Sequence, residues 1–390
     1  MNFSLNQFLI SVSFVLDFIE IDILDDVTNH GKRVGYVALK IGEELDLSKN
    51  EKFNLLAFAI MHDIGGVKNK GKVSKKEMEK AKEHCVIGEE NIRKFPFTTE
   101  YDNVILYHHE NYDGSGFFNK AKDEIPLFSQ IISIADSFEL LYNPEKSRKE
   151  MISKIKEQKN KMFSEKMVKK FLKIIQNESF WLNLKDQFIL SAIKTESPQV
   201  DRNYTFSELH EITSLFSDII DSKSRFTNYH STKLSRNVEI MSDYYNFKKE
   251  KSDKLLIAAD LHDIGKMAIS NSILDKPGDL TKKEYRTVKA HTFYTRKALE
   301  TIDGFEEITE WASNHHERND GSGYPYGVTK KELDFPSQML AVLDVYQALR
   351  ENRPYREPMN HKEAVEILKT MSDNNKLNKK IVDDVDKLFK

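Results

Sequence analysis

The sequence predicts an all-α protein made of two tandem helical bundles related by internal duplication, on three observations. Only 15 Gly and 9 Pro occur in 390 residues, and the abundance of Lys, Glu, Leu and Ile favours helix. Apolar residues recur at three and four spacing in segments such as Lys251–Leu261, Lys282–Ile302 and Ser337–Arg350, whereas no useful length alternates with period two. The third observation is a set of motifs that occurs twice, 200 to 208 residues apart.

The repeat is read from strings and spacings. Met61-His62-Asp63-Ile64-Gly65 is answered by Leu261-His262-Asp263-Ile264-Gly265. Downstream, His108-His109-Glu110-Asn111-Tyr112-Asp113-Gly114-Ser115-Gly116 is answered by His315-His316-Glu317-Arg318-Asn319-Asp320-Gly321-Ser322-Gly323. His30 precedes His62 by 32 residues and His230 precedes His262 by 32; His84 to His108 and His291 to His315 are both 24. The distance from His109 to Asp136 is 27 and from His316 to Asp344 is 28. The one large difference is the stretch from His62 to His84 (22) against its counterpart, His262 to His291 (29). Ten of 12 histidines therefore fall into the pattern, leaving His210 and His361 as ordinary packed side chains. Each His-Asp pair closes an apolar helical run, Leu55–Met61 or Leu255–Leu261, which Ile-Gly then ends. The histidine pair His315-His316 closes the run Ile308–Asn314 ahead of its Asp-Gly-Ser-Gly loop. The domain boundary is expected near Thr195–Tyr204, giving domains over 1–195 and 196–390.

Composition bounds the function. At 39% hydrophobic residues the chain can bury a core, which excludes wholesale disorder. A net charge of −3 excludes a broadly basic binder of nucleic-acid polymers. The Lys-rich stretch Lys146–Lys173 reads as a charged, solvated face on helices joining the two halves. Cys85 stands alone, so no intrachain disulfide forms, which fits a cytoplasmic protein. Phe3–Leu24 is apolar but carries Asp17, Glu20 and Asp22, so it reads as a buried amphipathic helix, neither a signal peptide nor a membrane span.

Five histidines and two aspartates per repeat form a ligand set for transition metals. Imidazole with carboxylate suits iron, manganese or zinc, whereas magnesium and calcium prefer all-oxygen shells. Seven side chains exceed the needs of one ion with an open position, so two metals are expected. Adjacent His262 and Asp263 point about 100° apart on a helix, which lets one carboxylate bridge two ions.

The second repeat resembles the HD superfamily of metal-dependent phosphohydrolases, and within it the HD-GYP subfamily. The resemblance rests on His262-Asp263-Ile264-Gly265-Lys266, on Ile273-Leu274-Asp275-Lys276-Pro277-Gly278-Asp279-Leu280-Thr281, on His291 and on His315-His316-Glu317. It continues through Gly321-Ser322-Gly323-Tyr324-Pro325, Asp344-Val345-Tyr346 and Arg353-Pro354-Tyr355-Arg356, spanning about Thr227 to Arg356. The resemblance implies HD-type helical bundles and a phosphodiesterase that opens a bacterial cyclic dinucleotide to a linear one. Cyclic di-GMP is the first choice of substrate. The second is 3′,3′-cyclic GMP-AMP, which the order of a degenerate HD domain before a full one also resembles.

Carried over by position, the metal ligands are His230, His262, Asp263, His291, His315, His316 and Asp344, with Asp263 bridging. Iron or manganese comes first, with zinc or nickel as other candidates. Two metals about 4 Å apart would clamp the attacking and leaving oxygens of an in-line displacement. Asp263 and Lys266 are the catalytic candidates. Lys266, Gly323, Tyr324 and Arg353 are the candidates for substrate contact, Lys266 through the non-bridging phosphate oxygens. Two positions depart from the family pattern. Phe226 stands where some members carry a third-metal glutamate, and Gln347 where a second aspartate is usual.

The first repeat keeps a full ligand set in His30, His62, Asp63, His84, His108, His109 and Asp136, but Gly66 replaces the lysine and Gly116-Phe117-Phe118 replaces Gly-Tyr-Pro. It is expected to bind metal as a weak, altered, regulatory or purely structural domain, with Asp26 as an added ligand candidate and Cys85 a doubtful one. Two other readings stay open: an HD-type nucleotidohydrolase, and a non-catalytic module that senses nucleotide or docks on another protein. A homodimer, or docking to a signalling protein, also stays open.

Overall fold

A computed structural model describes residues 4–24, 29–65, 82–96, 100–198, 204–223, 230–352 and 357–389, with the side chains of 17–24 left out. Its described residues contain helices and turns, and no β-strand beyond two isolated bridges. The chain divides into two compact units, Ser4–Arg202 and Asn203–Lys390. None of the described helices is long and apolar enough to cross a membrane.

The first unit comprises α1 (Leu5–Leu24), α2 (His30–Glu44), α3 (Lys49–Ile60), α4 (Lys82–Ile92), α5 (Leu127–Leu141), α6 (Arg148–Glu157), α7 (Glu165–Ile174), α8 (Glu178–Asn183) and α9 (Asp186–Glu196). α1 buries Leu5, Phe8, Leu9, Ile10, Val12 and Val15 together with Asn6, Ser11 and Ser13 and packs on α2 and α3, so over residues 5–16 it is enclosed nearly all round, where the sequence suggests a helix buried on one face. Ser48 starts α3 with a capping box: its hydroxyl accepts from the Glu51 amide at 3.3 Å, and the Glu51 carboxylate accepts from the Ser48 amide at 2.8 Å. Phe138 on α5 gathers the rings of Phe171, Phe180 and Trp181 at 4.9, 5.9 and 5.8 Å.

One expectation needs correcting here. Lys146–Lys173 does not run between the halves. α6 and α7 belong to the first bundle, where Met151, Ile155, Met167, Val168 and Phe171 are buried. α7 packs on α2 and α5. The lysines occupy only the outer face, because the apolar residues between them recur at helical spacing.

In the second unit α10 (Phe206–Ser222), α11 (His230–Tyr244) and α12 (Lys249–Leu261) precede a 3-10 turn (Ile264–Ala268) and the short α13 (Asn271–Leu274). They are followed by α14 (Lys282–Leu299), α15 (Glu306–Ser313), α16 (Phe335–Leu349), α17 (His361–Asp373) and α18 (Lys379–Leu388). Thr205, Thr281 and Asn360 cap α10, α14 and α17 through boxes with Glu208, Glu284 and Glu363. Both leftover histidines are held away from the ligand sets: His210 pairs with buried Asp260 at 2.8 Å, and His361 meets the Tyr346 hydroxyl at 3.0 Å.

The 3-10 turn after α12 is pressed against α14. A Cβ on Gly265 would lie 1.9 Å from the His291 carbonyl oxygen and 2.7 Å from the Thr295 amide. The Gly265 amide donates to the Thr295 hydroxyl at 3.1 Å, and that hydroxyl donates to the His262 carbonyl at 2.9 Å. Gly65 makes the same approach in the first unit, 2.0 Å from the His84 carbonyl oxygen. The glycine is therefore what allows the His-Asp pair and the next histidine to face each other. Gly265→Ala is expected to cost about 3 kcal/mol or more by forcing the backbones apart. Thermal unfolding with metal content measured in parallel checks this; an unchanged midpoint and full loading would refute it.

Candidate metal centres

Every ligand candidate of the second repeat converges between helices. His230 opens α11, His262 and Asp263 follow α12, His291 lies in α14, His315 and His316 follow α15, and Asp344 lies in α16. His230 Nε2 is 3.4 Å from Asp344 Oδ1, and His316 Nδ1 is 3.6 Å from Asp344 Oδ2. His262 Nε2 is 3.1 Å from Asp263 Oδ2, while His291 and His315 Nε2 are 3.4 and 3.8 Å from Asp263 Oδ1. Each oxygen of Asp263 thus faces a different set of nitrogens, and His230 with His262 and Asp344, or His291 with His315 and His316, could hold an ion.

Outer hydrogen bonds fix which ring nitrogen is available. The Nδ1–H groups of His262, His291 and His315 each donate to a carbonyl of the preceding turn, on Ala259, Val288 and Ala312, all at 2.6 Å. In the neutral rings of His291 and His315 Nε2 is then a bare lone pair, while Asp263 raises His262, whose Nε2 is the atom turned toward the centre. His291 and His315 point these lone pairs at each other across 3.3 Å. His262 Nε2 and Asp263 Oδ1 are buried and make no hydrogen bond. Unpartnered buried polar atoms cost about 1–3 kcal/mol each. A cation between them removes that cost, so the residues fit a metal, and nitrogen with carboxylate suits a transition ion.

Charge within the site is uneven. Burial pushes His291 down to about 4 and His315 to about 3, with His316 also well below its ordinary value, so these rings are neutral. Burial opposes the charged form of His230 as well, but the hydrogen bonds it donates to Asp344 and Glu351 raise it to about 10. Burial alone would raise Asp263, yet His262 and Lys266 hold it well below the carboxylate range. Lys266, on the 3-10 turn, pairs directly with Asp263 Oδ2.

The first unit assembles its own set in the same way. His30 Nε2 lies 3.3 Å from His62 Nε2 and 3.5 Å from Asp136 Oδ1, and His84 Nε2 lies 3.4 Å from His108 Nε2. Asp63, His84, His108 and His109 form one group that could hold an ion, and His30, His62 and Asp63 another. Cys85 is buried with its Sγ 3.5 Å from His84 Nε2, and burial pushes its thiol up. Asp26, Gly66, Phe226 and Arg353 lie outside the described residues.

The loop after the paired histidines is built on the glutamate that follows them, Glu317 or Glu110. Buried Glu317 accepts from the amides of Tyr326 at 2.7 Å and Gly327 at 3.2 Å. Glu110 does likewise for Phe118 at 2.7 Å and Lys120 at 2.6 Å. A Cβ on Gly323 would stand 2.4 Å from the Arg318 amide, so only glycine fits there. The loop lays the Tyr324 ring 4.9 Å from the His316 ring. Phe117 takes that place in the first unit, 6.4 Å from His109.

Two more carboxylates were missed. Glu351 accepts from His230 Nδ1 at 2.9 Å, and Glu139 from His30 Nδ1 at 2.5 Å. Gln347 donates to Glu351 at 2.6 Å and accepts from Asn237 at 3.1 Å, so the departure at 347 serves to hold the carboxylate that orients His230. Arg33 does this in the first unit, donating to Glu139 at 2.8 Å.

Comparison with known proteins agrees with this architecture. A sequence profile described as HD domain matches residues 19–163 and again residues 214–381. The chain is 29% identical over 384 residues to the 3'3'-cGAMP-specific phosphodiesterase 1 of Vibrio cholerae serotype O1, covering 94% of this chain and 88% of that protein. It is 32% identical over 286 residues to the 3'3'-cGAMP-specific phosphodiesterase 3 of the same organism, covering 73% of this chain and 62% of that protein. Among solved structures, a Vibrio cholerae cyclic GMP-AMP specific phosphodiesterase matches with a TM-score of 0.70 and 23% identity, over 100% of this chain and 98% of that chain.

Glu351→Ala is expected to lower metal affinity in the second unit by roughly 10–100-fold, because His230 loses the partner that fixes its ring. Metal titration against wild type measures this, and equal affinity would refute it. Stripping metal with a chelator is expected to lower the unfolding midpoint, since an ion bound only to the folded state stabilises it.

Proposed function

The chain belongs to the HD domain family, and from that premise we propose that it is a metal-dependent phosphodiesterase of a cyclic dinucleotide, working in its second repeat. The single observation that carries this reading is the second-unit centre. There a two-sided carboxylate, Asp263, stands among bare imidazole nitrogens with Lys266 and Tyr324 beside it. The residues His230, His262, Asp263, His291, His315, His316 and Asp344 would hold two divalent ions, iron or manganese by the donor set. Bound there, such ions supply Lewis acidity toward a phosphoryl oxygen and lower the pKa of water.

The chain's own groups do the rest. Lys266 places a cation next to Asp263, where it would offset charge on the non-bridging phosphate oxygens as it develops. Tyr324 walls the centre beside His316 and would limit how a base or sugar enters. In the hydrolysis a water oxygen bonds to phosphorus, the bond to the ribose 3′ oxygen breaks, and that oxygen takes up a proton, leaving a linear dinucleotide.

For the substrate, 3′,3′-cyclic GMP-AMP replaces cyclic di-GMP as first choice. Support comes from a relative named for that substrate that aligns over 94% of the chain, and therefore over both repeats. The first repeat is proposed as a metal-holding domain of regulatory or structural role. It keeps the ligand geometry but has Phe117 at the tyrosine position and, by sequence, Gly66 at the lysine position.

Purified protein loaded with manganese or iron and fed both cyclic dinucleotides tests this directly. His262→Ala with Asp263→Ala is expected to abolish turnover, and His62→Ala with Asp63→Ala to leave at least part of it. Full activity in the first double variant would sink the assignment of the working site.

A further inference from the structure

A cyclic dinucleotide carries two phosphodiesters and two bases, and only one phosphodiester can lie in line at a metal centre. Groups outside that centre must hold the remainder. On α14, one turn apart, Tyr285 and Lys289 lie beside it. Lys289 Nζ sits 4.9 Å from the centroid of the Tyr285 ring and 4.9 Å from that of Tyr324. No carboxylate lies within salt-bridge distance of it among the described residues, whereas Lys266 is paired and Lys276 is bonded to Glu284 at 2.7 Å. The Tyr324 ring in turn leans on the ligand candidates His316 at 4.9 Å and His291 at 6.4 Å. Tyr285 is 49% exposed, a large ring with one side open to solvent. An unpaired ammonium between two rings at the rim of an anion-processing site is placed to meet a second anion and a base.

The first unit sharpens this. Lys82 stands two residues before His84 as Lys289 stands two before His291. There the ammonium is already occupied: it donates to the Phe117 carbonyl at 3.0 Å and lies 4.1 Å over the Phe118 ring. By the same count the position of Tyr285 is Met78, and that of Tyr324 is Phe117. An open cation between two tyrosines is thus a property of the second repeat.

We propose that Tyr285, Lys289 and Tyr324 form the subsite for the half of the cyclic dinucleotide that is not being cleaved, with Lys289 contacting its phosphate and Tyr285 stacking on its base. This rests on the phosphodiesterase reading above and adds two residues to it. Stacking and phosphate contact act in the ground state as well as in the transition state, so their loss appears mainly in KM.

The test uses the full chain loaded with manganese, with steady-state kinetics on 3′,3′-cyclic GMP-AMP and on bis(4-nitrophenyl) phosphate, which has neither a second phosphate nor a purine. Tyr285→Ala and Lys289→Ala are each expected to raise KM for the dinucleotide roughly tenfold, within the range that base stacking supports, while kcat changes far less. Selectivity for the dinucleotide over the small diester should fall by the same factor, and Lys289→Arg should restore most of the loss. Unchanged KM in both alanine variants overturns the subsite while leaving the phosphodiesterase intact. An equal loss on both substrates with reduced metal content also overturns it, by showing a structural role. Wild type that turns over no cyclic dinucleotide overturns both readings together.

Discussion

The centre of each unit depends on one constraint: imidazole lone pairs forced to face one another. Where Nδ1–H is spent on a carbonyl of the preceding turn, Nε2 has no proton to offer. Across 3.3 Å between His291 and His315, neither can donate to the other. The helices that carry them are nevertheless packed tightly enough to hold the pair in place. A cation between the nitrogens would relieve this arrangement and would tie folding of the bundle core to metal. Asp263, with its two oxygens turned to different nitrogens, extends the same constraint to His262.

Backbone approach makes this convergence available. The 3-10 turn that follows α12 reaches the α14 backbone only because Gly265 has no side chain, and the hydroxyl of Thr295 locks the two together. The loop bearing Tyr324 depends on Gly323 passing close to Glu317 and Arg318, and on the Glu317 carboxylate collecting the amides that follow. Small residues and buried carboxylates at the edges therefore position the Tyr324 ring and Lys266 beside the ligand candidates.

The two units solve one problem with different residues. Both orient the first histidine with a glutamate, but Glu139 lies three residues after Asp136 and Glu351 seven after Asp344. One is steadied by a buried arginine and the other by a glutamine. Divergence outside the metal set has gone further at the rim, where the first unit closes Lys82 against its own loop and the second leaves Lys289 between two rings.

Much of this was legible in sequence. The helical class, the duplication and all seven ligand candidates per repeat follow from periodicity and equal spacing, because metal ligation demands particular side chains at positions set by helix geometry. Glu317 and Glu110 carried the same signal, standing beside the paired histidines in both copies. Glu139 and Glu351 carried none, since their offsets differ and an outer carboxylate can approach a ring from several backbone positions. Lys146–Lys173 resembles a joining segment in sequence for a related reason: charge dominates the composition while only a few buried apolar residues decide the packing. By itself the sequence determined which residues are candidates to bind metal and that there are two sets of them. Tertiary structure alone decided which lone pairs meet, which lysine is paired and which is open, because those depend on distances between helices far apart in the chain.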